Sequence, residues 1–207
     1  MGTAPGMNSR LQQLLTRGAM ASLALSLCGA AADAPPPQPQ WWRQLDVMDL
    51  DGTLIKPAAP RIVVVFLSAE CPVSNAYIPV LNRLAADFSR RGFAFVGAYV
   101  DPESDLPALR GHARSYAIAF VTADDREHRL VRAAGAKITP EVAVFSPEGS
   151  VLYRGRIDDR VGDLGFERPA ATRNDLRDVL EAIAAGRAGP FPARPGFGCF
   201  IPERVGR

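Results

Sequence analysis

Apolar side chains recur along this chain with more than one period. From Ile62 to Leu67 (IVVVFL) they run without interruption and are mostly β-branched, which predicts a strand buried on both faces. Tyr77, Leu81, Leu84 and Phe88 then fall at i, i+4, i+7 and i+11, one stripe of a helix over about Pro72 to Arg91, with Gly92 as its stop. A second strand is predicted over Phe93–Val100, and a helix from about Asp105 to Tyr116. A short strand at Phe120–Thr122 and a short helix over Arg126–Ala134 follow. Val142–Phe145 and Val151–Gly155 flank Ser146-Pro147-Glu148-Gly149 and predict a hairpin. The last helix is predicted over Asn174–Ala185, and alternation around Asp51-Gly52 predicts a further hairpin before the first strand. The fold class is therefore α/β: a central mixed β-sheet flanked by helices, with an N-terminal β-hairpin extension.

The two ends break this rhythm. Residues 1–32 read as a signal peptide. Arg10 and Arg17 precede the small, apolar stretch Gly18–Ala32, and Ala30-Ala31-Ala32 supplies an A-x-A-like cleavage site. That stretch is shorter than the roughly 20 residues of a spanning helix, so no stable membrane span is expected. Export to the periplasm or the extracellular space follows. Lipid anchoring through Cys28 is the less favoured reading, because Leu27 stands where a small residue is wanted. Residues 33–40 (DAPPPQPQ) form a Pro-rich linker, 41–186 the domain, and 187–207 a Gly/Pro-rich tail without periodicity.

Charge changes the picture once the signal is set aside. The formal net charge of +2 belongs to Arg10 and Arg17, and the remainder is balanced. A neutral domain is not expected to gather nucleic acid. Of three cysteines, Cys28 leaves with the signal, so Cys71 and Cys199 remain in a compartment where disulfides persist.

Cys71 carries the chemistry. It lies just past the buried strand, and Cys71-Pro72 opens the helix, with Pro at the favoured first helical position. Unpaired backbone N–H groups and the positive dipole end point at a thiol placed there. Helix-start cysteines fall from about 8.5 to roughly 3.5–7.5 in pKa, and the thiolate is the nucleophile. The plainer alternative is a buried, inert cysteine filling space.

The element order describes the thioredoxin fold, and the segment FLSAECPVSNAYIPVLNRL resembles the active-site region of redoxins. These include the alkyl hydroperoxide reductase/thiol-specific antioxidant proteins. The resemblance runs from about Leu45 to Gly186. Thr139-Pro140 resembles the family's cis-proline, which lies against the reactive cysteine, and Pro79 its helix kink. YRGRIDD at Tyr153–Asp159 and GCFI at Gly198–Ile201 resemble elements of an exported redoxin subgroup. The family's C-x-x-C would need a cysteine where Ser74 stands, and the C-x-x-x-C of Sco-type copper proteins one where Asn75 stands. Neither pair is present.

Cys199 then offers itself as the resolving thiol, carried to Cys71 by a flexible tail (Pro195-Gly196-Phe197-Gly198). A bridge across that loop would be worth on the order of 4–5 kcal/mol in the chain-entropy model. A redox-cycling pair, a permanent structural bridge and an unpaired tail cysteine all remain open. The resemblance implies a thiol-disulfide oxidoreductase acting on a protein or small-molecule thiol or disulfide. A thiol peroxidase is an alternative, with Ser68 in the hydroxyl position three before Cys71 but Val64 where peroxiredoxins carry proline. A non-catalytic binding or assembly module, with metal handling as a variant, is the third reading. Topology places Arg156, Asp158 and Asp159 near the thiol: Arg156 would favour the thiolate, and Asp158 or Asp159 would relay a proton. The alternative for these is a surface ion pair of little worth. No cofactor and no resident metal are expected. His112 and His128 have no ligand spacing and read as surface histidines, Trp41-Trp42 as a cap on the sheet edge, and Asp101, Asp124 and Asp125 as turn and capping residues. The oligomeric state is left open.

Overall fold

The structure is a computed structural model and describes residues 1–2, 39–162 and 166–203. The expected signal peptide, Cys28 and most of the linker lie outside the described residues. Among the described residues the order is α1 (Gln40–Gln44), β1 (Arg61–Leu67), α2 (Pro72–Ser89), β2 (Phe93–Tyr99), α3 (Leu106–Ser115) and β3 (Val121–Asp124). Then come α4 (Arg129–Ala134), β4 (Ile138–Thr139), β5 (Glu141–Phe145), β6 (Val151–Gly155), α5 (Asp175–Ala184) and β7 (Cys199–Phe200). Five strands form one mixed sheet in the order β3-β2-β1-β5-β6. β2 runs parallel to β1 and β3, while β5 runs antiparallel to β1 and β6. No helix among the described residues is long and apolar enough to cross a membrane.

β1 is central because its sequence suits no edge. Its side chains alternate between two cores: Val63, Val65 and Leu67 face one, and Ile62, Val64 and Phe66 the other, all but fully buried. The first core is closed by the stripe Tyr77, Leu81, Leu84 and Phe88 of α2 and by Leu176, Leu180 and Ile183 of α5. Trp42, Val47, Ile55, Leu130 and Ala134 close the second. Each such side chain contributes about 1.5–3 kcal/mol on burial, so β1 is the most firmly held segment near the site.

Five expectations are revised. The N-terminal hairpin is reduced to one bridge, Met48 to Leu54, around the Asp51-Gly52 turn. Asp49 draws its backbone inward by accepting from the Asp51 and Thr53 N–H groups. The tryptophan pair covers a face of the sheet rather than its edge: Trp41 stacks on Phe145 at 4.7 Å, and the buried Trp42 donates to the Ile55 carbonyl. His128 is buried and hydrogen-bonded to the Val100 carbonyl at 2.6 Å, and His112 is half-buried, so neither is a surface residue. The tail is docked, not loose. Phe191 donates to the Leu152 carbonyl, Arg194 accepts from Arg156, and Ile201 donates to the Lys137 carbonyl. α4 begins later than expected because the Asp125 carboxylate caps it, accepting from Leu130 and Val131.

Candidate redox site

The site forms where β1 hands over to α2. Leaving the buried strand, the chain turns through Ser68, whose carbonyl accepts the Cys71 N–H at 3.2 Å. Cys71 is the N-cap of α2, Pro72 follows inside the first turn, and the Cys71 sulfur accepts the Ser74 N–H at 3.5 Å. One of the helix's unpaired donors therefore ends on sulfur, along the axis where the 18-residue helix presents its positive end. Opposite lies Thr139, the last residue of β4; the Thr139-Pro140 peptide is cis, and the Thr139 carbonyl is 3.2 Å from the Cys71 sulfur.

The tail supplies the second thiol. β7 pairs antiparallel with β4, setting Thr139 against Cys199 and Ile138 against Phe200. The Cys199 thiol then lies 2.6 Å from the Cys71 sulfur, and both cysteines are free. Gly198 is required for this approach: a Cβ there would lie 2.0 Å from the Thr139 carbonyl oxygen. The two thiols differ electrostatically. Burial opposes ionisation of Cys71, but hydrogen bonds from Cys199 and from the Ser74 N–H outweigh it and bring its pKa below 9.0. Burial and the bond it gives to Cys71 push Cys199 up to about 11. The two shifts run in opposite directions, so Cys71 is the more acidic of the two thiols.

The remaining predicted residues are divided. Ser74 serves through its backbone; its hydroxyl is buried without a hydrogen-bond partner among the described residues. Ser68 acts through its carbonyl. Arg156 and Asp158 line a small cleft with Pro140, Tyr77 and Phe197, and no described contact joins either to a cysteine. Arg156 instead pairs with the buried Asp175 at 2.6 Å, tying β6 to α5. Asp158 accepts from the Tyr77 hydroxyl at 2.5 Å and from the Arg160 N–H. Asp159 folds the following loop back, accepting from Thr172 and Arg173; these bonds hold its carboxyl well below the usual range. A wider cleft of about 350 Å³, lined by Val80, Arg83, Arg160 and Arg177 among others, contains no cysteine.

Sequence reasoning missed a polar chain behind the loop. The Tyr99 hydroxyl lies 2.7 Å from His112 Nδ1, His112 Nε2 lies 2.9 Å from Asn75 Oδ1, and Asn75 Nδ2 donates to the Ala69 carbonyl. Each link is satisfied when neutral His112 carries its proton on Nε2, and burial lowers the His112 pKa. Asn75, read only as a missing cysteine, fixes the loop that presents Cys71. No group of three or more histidines, cysteines or carboxylates able to hold a metal occurs among the described residues.

Comparisons with known proteins bear on the fold and the family. A solved hypothetical protein from Sinorhizobium meliloti is 26% identical, covering 77% of this chain and 91% of that one with a TM-score of 0.66. An uncharacterized conserved protein from Geobacillus kaustophilus is 24% identical over 84% and 93%, with a TM-score of 0.67. A putative thioredoxin from Neisseria meningitidis shares the fold at a TM-score of 0.50, with 18% identity over 67% and 85%. No curated protein sequence matches. The fold is thioredoxin-like, and the AhpC/TSA family pattern matches residues 47–154, from the N-terminal turn to the middle of β6, so the chain belongs to the AhpC/TSA family.

Proposed function

We propose that this chain is an exported thiol–disulfide oxidoreductase in which Cys71 is the nucleophile and Cys199 the resolving thiol. One observation carries the reading: the Cys199 thiol lies against the Cys71 sulfur at a helix mouth, with the two acidities displaced in opposite directions. Membership of the redoxin-type AhpC/TSA family supports a thiol redox role, and the signal-like pattern of residues 1–32 supports export.

The steps follow from the acidities. The Cys71 thiolate attacks one sulfur of a partner disulfide; a Cys71–partner bond forms, the partner's S–S bond breaks, and its second sulfur leaves as thiolate. Cys199 gives up its proton to that thiolate and attacks the Cys71 sulfur. The Cys71–Cys199 disulfide forms, the Cys71–partner bond breaks, and the released partner sulfur takes a proton from solvent, so the partner departs as a dithiol. Two electrons pass from the protein's thiols to the partner, and a dithiol of sufficiently low potential reverses the sequence. Thr139 and Pro140 hold the site's far wall. The Ser74 N–H and the helix terminus stabilise negative charge on Cys71 each time it leaves as thiolate.

The test is turnover of a model protein disulfide by wild type, Cys71→Ser and Cys199→Ser. Cys71→Ser loses activity by about a thousandfold or more, the loss expected on removing a nucleophile. Cys199→Ser accumulates a mixed disulfide at Cys71. Unchanged turnover in Cys71→Ser contradicts the reading. Rapid consumption of hydrogen peroxide with sulfenic acid at Cys71, without disulfide turnover, replaces it with the peroxidase alternative.

A further inference from the structure

Arginine gathers on a part of the molecule that the thiol chemistry does not use. The cleft of about 350 Å³ opens between α2, the loop after β6 and the start of α5. Small-molecule sites occupy about 300–1,000 Å³, so its size suits a small ligand. Val80 and Leu84 of α2 and Ile157 give it an apolar floor. Arg83, Arg160 and Arg177 line it too, against a single carboxylate, Asp158. Asp158 Oδ1 is engaged by the Tyr77 hydroxyl and the Arg160 backbone N–H.

The three arginines are unequally committed. Arg83 is exposed and has no hydrogen-bond or ion-pair partner among the described residues. Arg177 pairs with Asp87 at 2.6 Å, and the Glu167 carboxylate stands 3.6 Å from Arg160 Nε; both carboxylates are more than half exposed. Exposed pairs of this kind are weak, so an incoming anion displaces them at small cost. Arg160 is held in place meanwhile. Its guanidinium lies over the Tyr77 ring at 4.6 Å, and its Nη2 donates to the Ala76 carbonyl at 3.1 Å. Its Nε is buried without a hydrogen-bond partner among the described residues. A fixed guanidinium with an unmet donor is preorganised for an oxyanion, which arginine engages through two parallel N–H groups.

We propose that this cleft binds a small organic anion. Arg83 and Arg160 hold its carboxylate or phosphate group, and its apolar body lies on Val80, Leu84 and Ile157. Arg177 adds positive charge at the rim. Ile157 and Asp158 also line the small cleft that reaches Pro140, so the bound anion is a neighbour of the redox site without being part of it. The proposal does not rest on Cys71 being the reacting thiol.

The experiment titrates the full reduced chain with phenyl phosphate, benzoate and inorganic phosphate at one fixed ionic strength. Calorimetry gives the affinity, and NMR amide shifts give the place. Phenyl phosphate or benzoate binds saturably and more tightly than inorganic phosphate, with shifts clustered at Ala170, Ala171 and Asn174. The tighter of the two identifies the head group as phosphate or carboxylate. Arg83→Glu and Arg160→Gln each weaken binding about tenfold or more, as expected when a charge-assisted hydrogen bond is lost. Arg114→Glu makes the same charge change on α3, outside the cleft, and leaves the affinity in place. Should Arg160→Gln impair folding, the exposed Arg83→Glu decides alone. Three results overturn the proposal: no saturable binding, equal affinity for inorganic phosphate and both organic anions, or equal weakening by Arg83→Glu and Arg114→Glu. The readout is equilibrium binding, so it stands or falls apart from any result on turnover.

Discussion

The two cysteines reach one point by opposite routes. Cys71 is set by its neighbours in sequence: a buried β-branched strand, a three-residue turn, then Pro72 and a helix. Cys199 lies 128 positions away and is set by long-range fits: the clearance at Gly198, the pairing with Thr139, and the Ile201 anchor. One half of the site is built from adjacent residues and the other from a docked tail. The contrast separates residues that hold the domain together from residues that hold the second thiol in place.

The largest expected effect probes the half built from adjacent residues. Phe66→Ala empties a fully buried position in β1 and costs about 3–5 kcal/mol, visible as a lowered melting temperature for the whole domain. Ile201→Ala, on the tail, leaves the main melting transition nearly in place while raising hydrogen exchange at the 199–201 amides. A comparable loss of global stability in both variants would erase the distinction.

The next effect is electrostatic. Cys199→Ala removes a hydrogen bond that holds Cys71 below 9.0, so the alkylation profile of Cys71 moves to higher pH. Cys199→Ser retains an O–H donor and moves it less. No movement in either variant would show that the helix terminus alone sets the Cys71 acidity.

The smallest effect concerns the loop behind Cys71. His112 is held neutral, with its folded pKa below the ordinary 6.5. The unfolded chain therefore binds a proton first as pH falls. The stabilisation is full above about pH 6.5 and is lost as pH drops through the lower folded value. His112→Gln shows a flatter dependence of melting temperature on pH between about 7 and 5. An unchanged slope would mean that other groups account for it.

How far sequence served follows the same division. The strand and helix flanking Cys71 were legible because burial on both faces and a 3.6-residue stripe are local patterns. The Cys-Pro helix start was equally plain. The N-terminal hairpin shrank because Asp49 closes the turn onto itself after a single bridge. The tail read as loose because glycine and proline signal irregular backbone, while Gly198 serves as clearance for a strand pairing with residues 60 positions earlier. RIDD was expected beside the thiol, but its charges are committed to Asp175, Tyr77 and Thr172, which no spacing encodes. The His112 chain was hidden for the same reason: Tyr99, His112 and Asn75 come from three different elements.

The account turns on unequal acidity within the thiol pair. The most direct measurement is the pH dependence of alkylation of the reduced wild-type protein, with Cys71 and Cys199 followed separately by mass mapping. The account predicts a Cys71 midpoint below the ordinary cysteine value and a Cys199 midpoint well above it, near 11. Coincident midpoints, or Cys199 ionising first, would contradict it.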